Sequence, residues 1–136
     1  MKRAAEVLIQ VPFHDADPAN MAWHGHYAKY FELARCALLD SFDYGYTQMS
    51  GSGYIWPIIE LWIRYAQPAR FGQRIRVGAT LTEWQHRLKI EYLVSDADGG
   101  ARLTRGRTIQ VAVNLQTGCM CLTSPPVLFE KLGMQR

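Results

Sequence analysis

One stretch of this chain carries a helical repeat, and it is apolar on more than one side. Tyr27, Phe31, Ala34, Leu38 and Leu39 recur at helical intervals, with Tyr30, Leu33 and Ala37 between them. Lys29, Glu32, Arg35 and Asp40 are its few charges. The spacing predicts a helix over about residues 25–41. A helix apolar that far round must be mostly enclosed by other elements.

The enclosing elements read as strands. Residues 5–13 alternate weakly. "YIWPIIELWIRYAQ" (54–67) is β-rich, and Pro57 near its start suits a strand beginning or an edge. In "RIRVGATLTEW" (74–84), Ile75, Val77, Ala79 and Leu81 alternate against Arg74, Arg76, Thr80 and Thr82. In "RLKIEYLV" (87–94), Leu88, Ile90, Tyr92 and Val94 oppose Arg87, Lys89 and Glu91. "DADGG" then makes a hairpin turn, and residues 102–118 return as one long strand. "SPPVLFEKLG" closes the pattern with a turn and about one turn of helix. Strand, long helix and four further antiparallel strands make an α+β fold in which one sheet face buries the helix. No repeat, low-complexity tract or linker interrupts it, so residues 1–136 read as a single domain.

Composition removes several alternatives. No apolar run approaches the length needed to cross a bilayer. The apolar part of "MKRAAEVLIQVPFHD" is short, alternates and is cut by Pro12 and His14, unlike a signal peptide. Cys36, Cys119 and Cys121 are an odd number without CxxC spacing, so a reducing cytoplasm is expected rather than a disulfide framework. Residues 1–63 carry four Lys/Arg against seven Asp/Glu, a balance of −3. Residues 64–107 carry nine Lys/Arg against four acids, a balance of +5. Such an excess is either a set of solvated strand faces or a docking surface for something anionic. No nucleic-acid motif accompanies it, and a phosphorylated small molecule suits it better.

Residues 14–27, "HDADPANMAWHGHY", place two aspartates and three histidines directly before the helix. Asp15, Asp17, His24, Tyr27 and "FELAR" (31–35) have the spacing of the opening motif of the 4-hydroxybenzoyl-CoA thioesterase-like family. "IRYAQPARFGQRIRV" (63–77) is similar to that family's strand–turn–strand segment, and "EW" (83–84) to its CoA-contacting strand. The chain thus resembles acyl-CoA thioesterases of the hotdog fold, in which a curved antiparallel sheet of about five strands wraps a long central helix. Asn20 stands where the family has glycine. Asn tolerates a positive φ next best, so the turn is expected to survive.

The resemblance implies roles for particular residues. Asp17 would lie beside the thioester carbonyl, as nucleophile or as general base toward water; read without the resemblance, it is a turn aspartate before Pro18. Asp15 would be the structural member, bonding the turn's backbone amides. His24 would offer its backbone N–H to the carbonyl, with the positive end of the helix behind it, while its ring orients water or moves a proton. Tyr27 would pack in the helix and lend its hydroxyl to the site. Glu32 would border the acyl pocket across a dimer interface; its plain reading is an ion pair with Arg35. Trp56, Trp62, Phe31 and Tyr30 would line the acyl pocket or simply fill the core. His86, Arg87 and Lys89 would meet the nucleotide phosphates, although Gln85 thins that basic cluster. His14 and His26 have no role carried over. "HGH" is not a recognised ligand spacing, and no metal or cofactor is implied.

These readings point to a thioester hydrolase acting on acyl-CoA or on an acyl carrier protein, assembled as a homodimer or homotetramer, with neither nucleic acid nor membrane as partner. Two other classes fit the same residues. One is a hotdog dehydratase of 3-hydroxyacyl thioesters, and the other a non-catalytic acyl-thioester-binding module.

Overall fold

The computed structural model describes residues 3–134. Its elements follow in the order β1 (Arg3–Gln10), α1 (Tyr27–Asp40), α2 (Tyr46–Gly51), β2 (Tyr54–Ile55), β3 (Ile58–Tyr65), β4 (Arg74–Glu83), β5 (Leu88–Asp96), β6 (Arg102–Gln110), β7 (Val113–Asn114) and α3 (Pro126–Leu132). Short 3-10 turns at Phe13–Asp15 and His24–His26 join β1 to α1. The expected helix is therefore a 3-10 turn running into α1. Five strands make one sheet in the order β1-β4-β5-β6-β3, with every neighbour antiparallel. This is the α+β hotdog architecture, a sheet wrapped around one long helix.

Strand alternation sets the inner face. Ile75, Val77, Ala79 and Leu81 on β4 and Leu88, Ile90, Tyr92 and Val94 on β5 are all buried. They meet Tyr27, Tyr30, Phe31, Ala34, Leu38 and Leu39 of α1 in one core. Phe31 stacks flat on Tyr92 with ring centroids 4.4 Å apart. Burying such a side chain stabilises the fold by about 1.5–3 kcal/mol. Gly106 on β6 leaves room for that stack, since a Cβ there would fall 2.5 Å from the Phe31 ring and 2.7 Å from a backbone oxygen of Trp62.

Three local expectations need correction. Residues 54–67 do not run as one strand: Pro57 separates β2 from β3, and β2 pairs with β7 in a ribbon apart from the main sheet. Residues 102–118 also divide. β6 ends at Gln110, whose side-chain amide donates to the carbonyl of Trp56 at 2.8 Å, and the chain then turns to form β7. Between α1 and β2 lies the unexpected helix α2, too short to show a hydrophobic period. Strand β3 is the free edge of the sheet beyond β6. Among the described residues, no helix is long and apolar enough to cross a membrane.

Candidate active site

The loop from Asp15 to Trp23 folds back on itself and on the segment after β3. Ala16 bridges Ala22, and Met21 bridges Arg70. The Ala22 N–H donates to the Ala69 carbonyl at 2.7 Å, and the Phe71 N–H to that of Asn20 at 2.8 Å. Asn20 holds φ at 61°, the left-handed conformation expected of it. Asp17 organises the bend. Its Oδ1 accepts from the Ala19 N–H at 2.9 Å and the Met21 N–H at 3.2 Å. Its Oδ2 has no hydrogen-bond partner among the described residues. One oxygen of Asp17 is thus structural and the other free.

Asp17, His24 and Tyr27 line a single cleft of about 250 Å³, with Met21, Tyr65 and Gln67 among its other walls. His24 opens the 3-10 turn that leads into α1. The first N–H groups of such a turn have no acceptor within it, so His24 and Gly25 present free amides at the positive end of the helix. Gly25 leaves room for the Trp23 ring to lie across the turn; a Cβ there would fall 2.1 Å from that ring, and the exposed ring would have to swing aside. The Trp23 ring packs against both neighbouring imidazoles, with centroids 5.0 Å from His24 and 5.4 Å from His26.

Tyr27 is buried, and its hydroxyl accepts from the Ala69 N–H at 3.2 Å. That bond ties the floor of the cleft to the segment after β3. Tyr65, at the end of β3, is the site residue that sequence reasoning passed over. Its hydroxyl donates to the His24 carbonyl at 3.0 Å, and its ring meets Tyr27 edge-on at 5.1 Å. Desolvation and the neighbouring Tyr27 hold its phenol above the ordinary range, so it remains a donor at neutral pH. No local spacing could announce it, since it comes from another element and its partner is a backbone carbonyl.

The two aspartates divide their work differently from expectation. Asp17, not Asp15, binds the turn's amides. Asp15 is 1% exposed, and its oxygens accept from Lys29 Nζ at 2.7 Å and from the Tyr30 hydroxyl at 2.8 Å. Burial alone would raise its pKa, but the hydrogen bonds from Lys29 and Tyr30 and the charge of Lys29 outweigh it and hold the carboxyl below its ordinary range. His14 and His26 approach the same carboxylate at 3.7 and 3.8 Å. Asp15 is the structural member through side chains.

Other expected residues lie elsewhere. Glu32 is exposed on α1 and does not line the cleft of its own chain; its expected place is across a dimer interface. Arg35 does not pair with it: the guanidinium turns inward, donating to the Tyr46 hydroxyl at 2.7 Å and the Tyr92 hydroxyl at 3.2 Å. Phe31, Tyr30 and Trp56 are core residues, while Trp62 sits under Arg107 at 4.8 Å. His86, Arg87 and Lys89 occupy the β4–β5 connection and the start of β5. Lys89 stands opposite Ile109, whereas the cleft end of the sheet is marked by Tyr65 opposite Thr104. Five residues of β6 separate those rows, about 16 Å at strand rise. Arg87 is ion-paired with Glu83, and the His86 ring is 3.4 Å from the Thr123 hydroxyl. Within one chain these three are not part of the cleft. Among the described residues, no group of three or more His, Cys, Asp or Glu is placed to hold a metal ion.

Comparison with known proteins bears on the family and the fold. A family model described as the thioesterase-like superfamily matches residues 11–132. The chain is 27% identical over 128 residues to sll0410 of Synechocystis sp., named as a candidate esterase, covering 93% of this chain and 77% of that protein. The crystal structure of the protein TT1821 from Thermus thermophilus superposes with a TM-score of 0.84 at 26% identity, covering 95% of this chain and 97% of that one. A 1,4-dihydroxy-2-naphthoyl-CoA thioesterase from Synechocystis, Slr0204, superposes with a TM-score of 0.82 at 22% identity, covering 95% of this chain and 96% of that one. At that identity the last likeness establishes the fold alone.

Proposed function

Because the chain belongs to the thioesterase-like superfamily, we propose that it hydrolyses an acyl thioester, carried by CoA or by a carrier protein, to the free acid and thiol. The observation that carries this reading is that Asp17, with one carboxylate oxygen unpartnered among the described residues, and His24, at the start of the turn into α1, line one cleft. The amides of that turn suit the thioester oxygen, where negative charge develops as the carbonyl carbon becomes tetrahedral. Asp17 suits the other side of that carbon, in either of two ways. As general base it takes a proton from water while the hydroxide adds to the carbonyl. As nucleophile its Oδ2 adds directly, the C–S bond breaks, and water then hydrolyses the mixed anhydride. In both routes the thiolate leaves with the C–S electron pair and is protonated afterwards. A thiolate departs readily, so one carboxylate suffices.

The hydrogen bonds from Ala19 and Met21 support this role by fixing the Asp17 carboxyl in one rotamer, and the Tyr65 bond fixes the turn that carries the amides. Both are prepositioned before substrate arrives.

The reading includes a homodimer. Strand β3 is an edge, and its side chains Ile59, in the bulge between Ile58 and Glu60, and Leu61 are 53% and 48% exposed. An apolar unpaired edge calls for a partner strand. Antiparallel pairing of two β3 strands would carry the 86–89 segment of one chain toward the cleft end of the other, where phosphates of a bound CoA could reach Arg87 and Lys89. Thiol release measured over a panel of acyl-CoAs and acyl carrier proteins tests the function. Turnover of at least one class is expected. Release from none of them, or hydration and dehydration of 3-hydroxyacyl thioesters instead, would overturn it.

A further inference from the structure

The nine basic residues of 64–107 do not form one group. Arg74, Arg76 and Arg87 are ion-paired with Asp98, Glu6 and Glu83. Arg64, Arg102, Arg105 and Arg107 take part in none of the ion pairs among the described residues. Register places Arg64 directly opposite Arg105 and Trp62 opposite Arg107 on β3 and β6. Arg105 and Arg107 reach over the Trp62 ring, at 5.9 and 4.8 Å from its centroid. Glu91 stands across from Arg107 on β5 without closing to ion-pair distance. These side chains share the outer face of the sheet, the one turned away from α1.

Like charges directly opposite on neighbouring strands cost stability. The fold gains nothing visible from the Arg64–Arg105 pair, which marks the face for something that approaches it. Two further observations say what. A depression of about 360 Å³ is lined by Arg64, Ala66, Leu93, Arg102 and Arg105, and Ala66 also lines the catalytic cleft. The patch therefore abuts the site. It also extends from Arg102 to Arg107, about 16 Å along β6, across two strands and over an exposed tryptophan. A phosphate group draws guanidinia to one point. A row of separated arginines around a tryptophan is the composition of a protein-binding face. A second copy of this chain would bring arginines against arginines.

We infer that the outer face formed by Arg64, Arg102, Arg105 and Arg107 around Trp62 docks an acidic protein, the acyl carrier protein that delivers its thioester to the adjoining cleft. The choice of carrier as partner rests on the thioesterase reading of the cleft. Charge complementarity would speed encounter and make binding salt-sensitive, and Trp62 would supply the apolar anchor.

The test is binding of fluorescently labelled holo-acyl carrier protein, followed by anisotropy at low and high salt, to wild type and to the Arg64→Gln/Arg102→Gln/Arg105→Gln variant. That variant removes the like-charge pair, so its melting temperature should hold or rise. Wild type should bind, and the variant should bind at least about tenfold more weakly with most of the salt dependence gone. Equal binding by the two proteins, or none by wild type, overturns the dock whatever the cleft does. Turnover assigns the effect. The variant should lose kcat/KM on acyl carrier protein and keep it on a short acyl-N-acetylcysteamine thioester. An equal loss on acyl-CoA would show that the arginines read a nucleotide instead. Failure of wild type to hydrolyse any thioester would sink the reading of the cleft and leave the binding result to stand by itself.

Discussion

Both carboxylate oxygens of the buried Asp15 lie 2.7 Å from Lys29 Nζ, which pins the loop ahead of the cleft to the first turns of α1. The folded-state pKa of Asp15 is below its ordinary value of 3.8. Its contribution to stability is therefore fully present above that value and is lost as pH falls through the lower folded value. Acid denaturation followed by circular dichroism should show wild type losing stability in that window, below about pH 4. Asp15→Asn should cost about 1–3 kcal/mol at neutral pH and flatten the acid limb. An unchanged neutral stability would mean that the pair does not pin the loop.

Tyr65 acts on the cleft through one hydrogen bond to the His24 carbonyl. Tyr65→Phe keeps the ring against Tyr27 and removes only that bond. A neutral hydrogen bond is worth about 0.5–1.5 kcal/mol, so kcat should fall roughly twofold to twelvefold with KM little changed. A rise in KM alone would make Tyr65 a substrate contact rather than a positioning residue.

The strand pattern was legible because Ile75 through Leu81 and Leu88 through Val94 each bury alternate residues against a single helix. The φ of 61° at Asn20 was legible through the resemblance, since it stands where the family has glycine and Asn is the next most tolerant of that conformation. The gathering of Asp17, His24 and Tyr27 in one cleft followed from the family motif rather than from spacing. What escaped depends on remote partners. Arg35 has a neighbour of opposite charge three residues away, yet its hydroxyl partners Tyr46 and Tyr92 lie 11 and 57 residues distant. The partners of Asp15, side chains rather than the turn's amides, have the same cause, since Lys29 and Tyr30 reach back to it only once α1 has docked. At the end of β6 Gln110 bonds to Trp56, 54 residues away, a contact that no alternation records.

If one chain's Arg87 and Lys89 serve its partner's cleft, two crippled chains should complement each other. Asp17→Asn and Arg87→Ala/Lys89→Ala are mixed after mild dissociation and reassociation. Statistical exchange in a two-fold dimer restores roughly one site in four, carrying both an intact carboxylate and an intact basic pair. Activity at low acyl-CoA concentration should therefore exceed the sum of the two parents. Strict additivity would place the basic pair in its own chain's site or outside catalysis.

The dimer itself is tested on the edge strand β3. Ile59 and Leu61 are exposed in the single chain, so Ile59→Asp/Leu61→Asp should spare its fold. Light scattering should give a dimer or tetramer for wild type and a monomer for the variant. A wild-type monomer at micromolar concentration would contradict the assembly.

The central claim is that the free oxygen of Asp17 performs the chemistry while the other holds the loop. Asp17→Asn separates the two. Asparagine keeps an oxygen to accept from the Ala19 and Met21 amides and caps about as well as aspartate, so folding and affinity should stay near normal. Its amide is neither base nor nucleophile. The decisive measurement is kcat for thiol release by purified Asp17→Asn, beside its KM and melting temperature. A positioned acid–base group contributes at least about 10²-fold, so kcat should fall by that much or more at preserved KM. A variant that folds normally and keeps more than about a tenth of wild-type kcat would contradict the account.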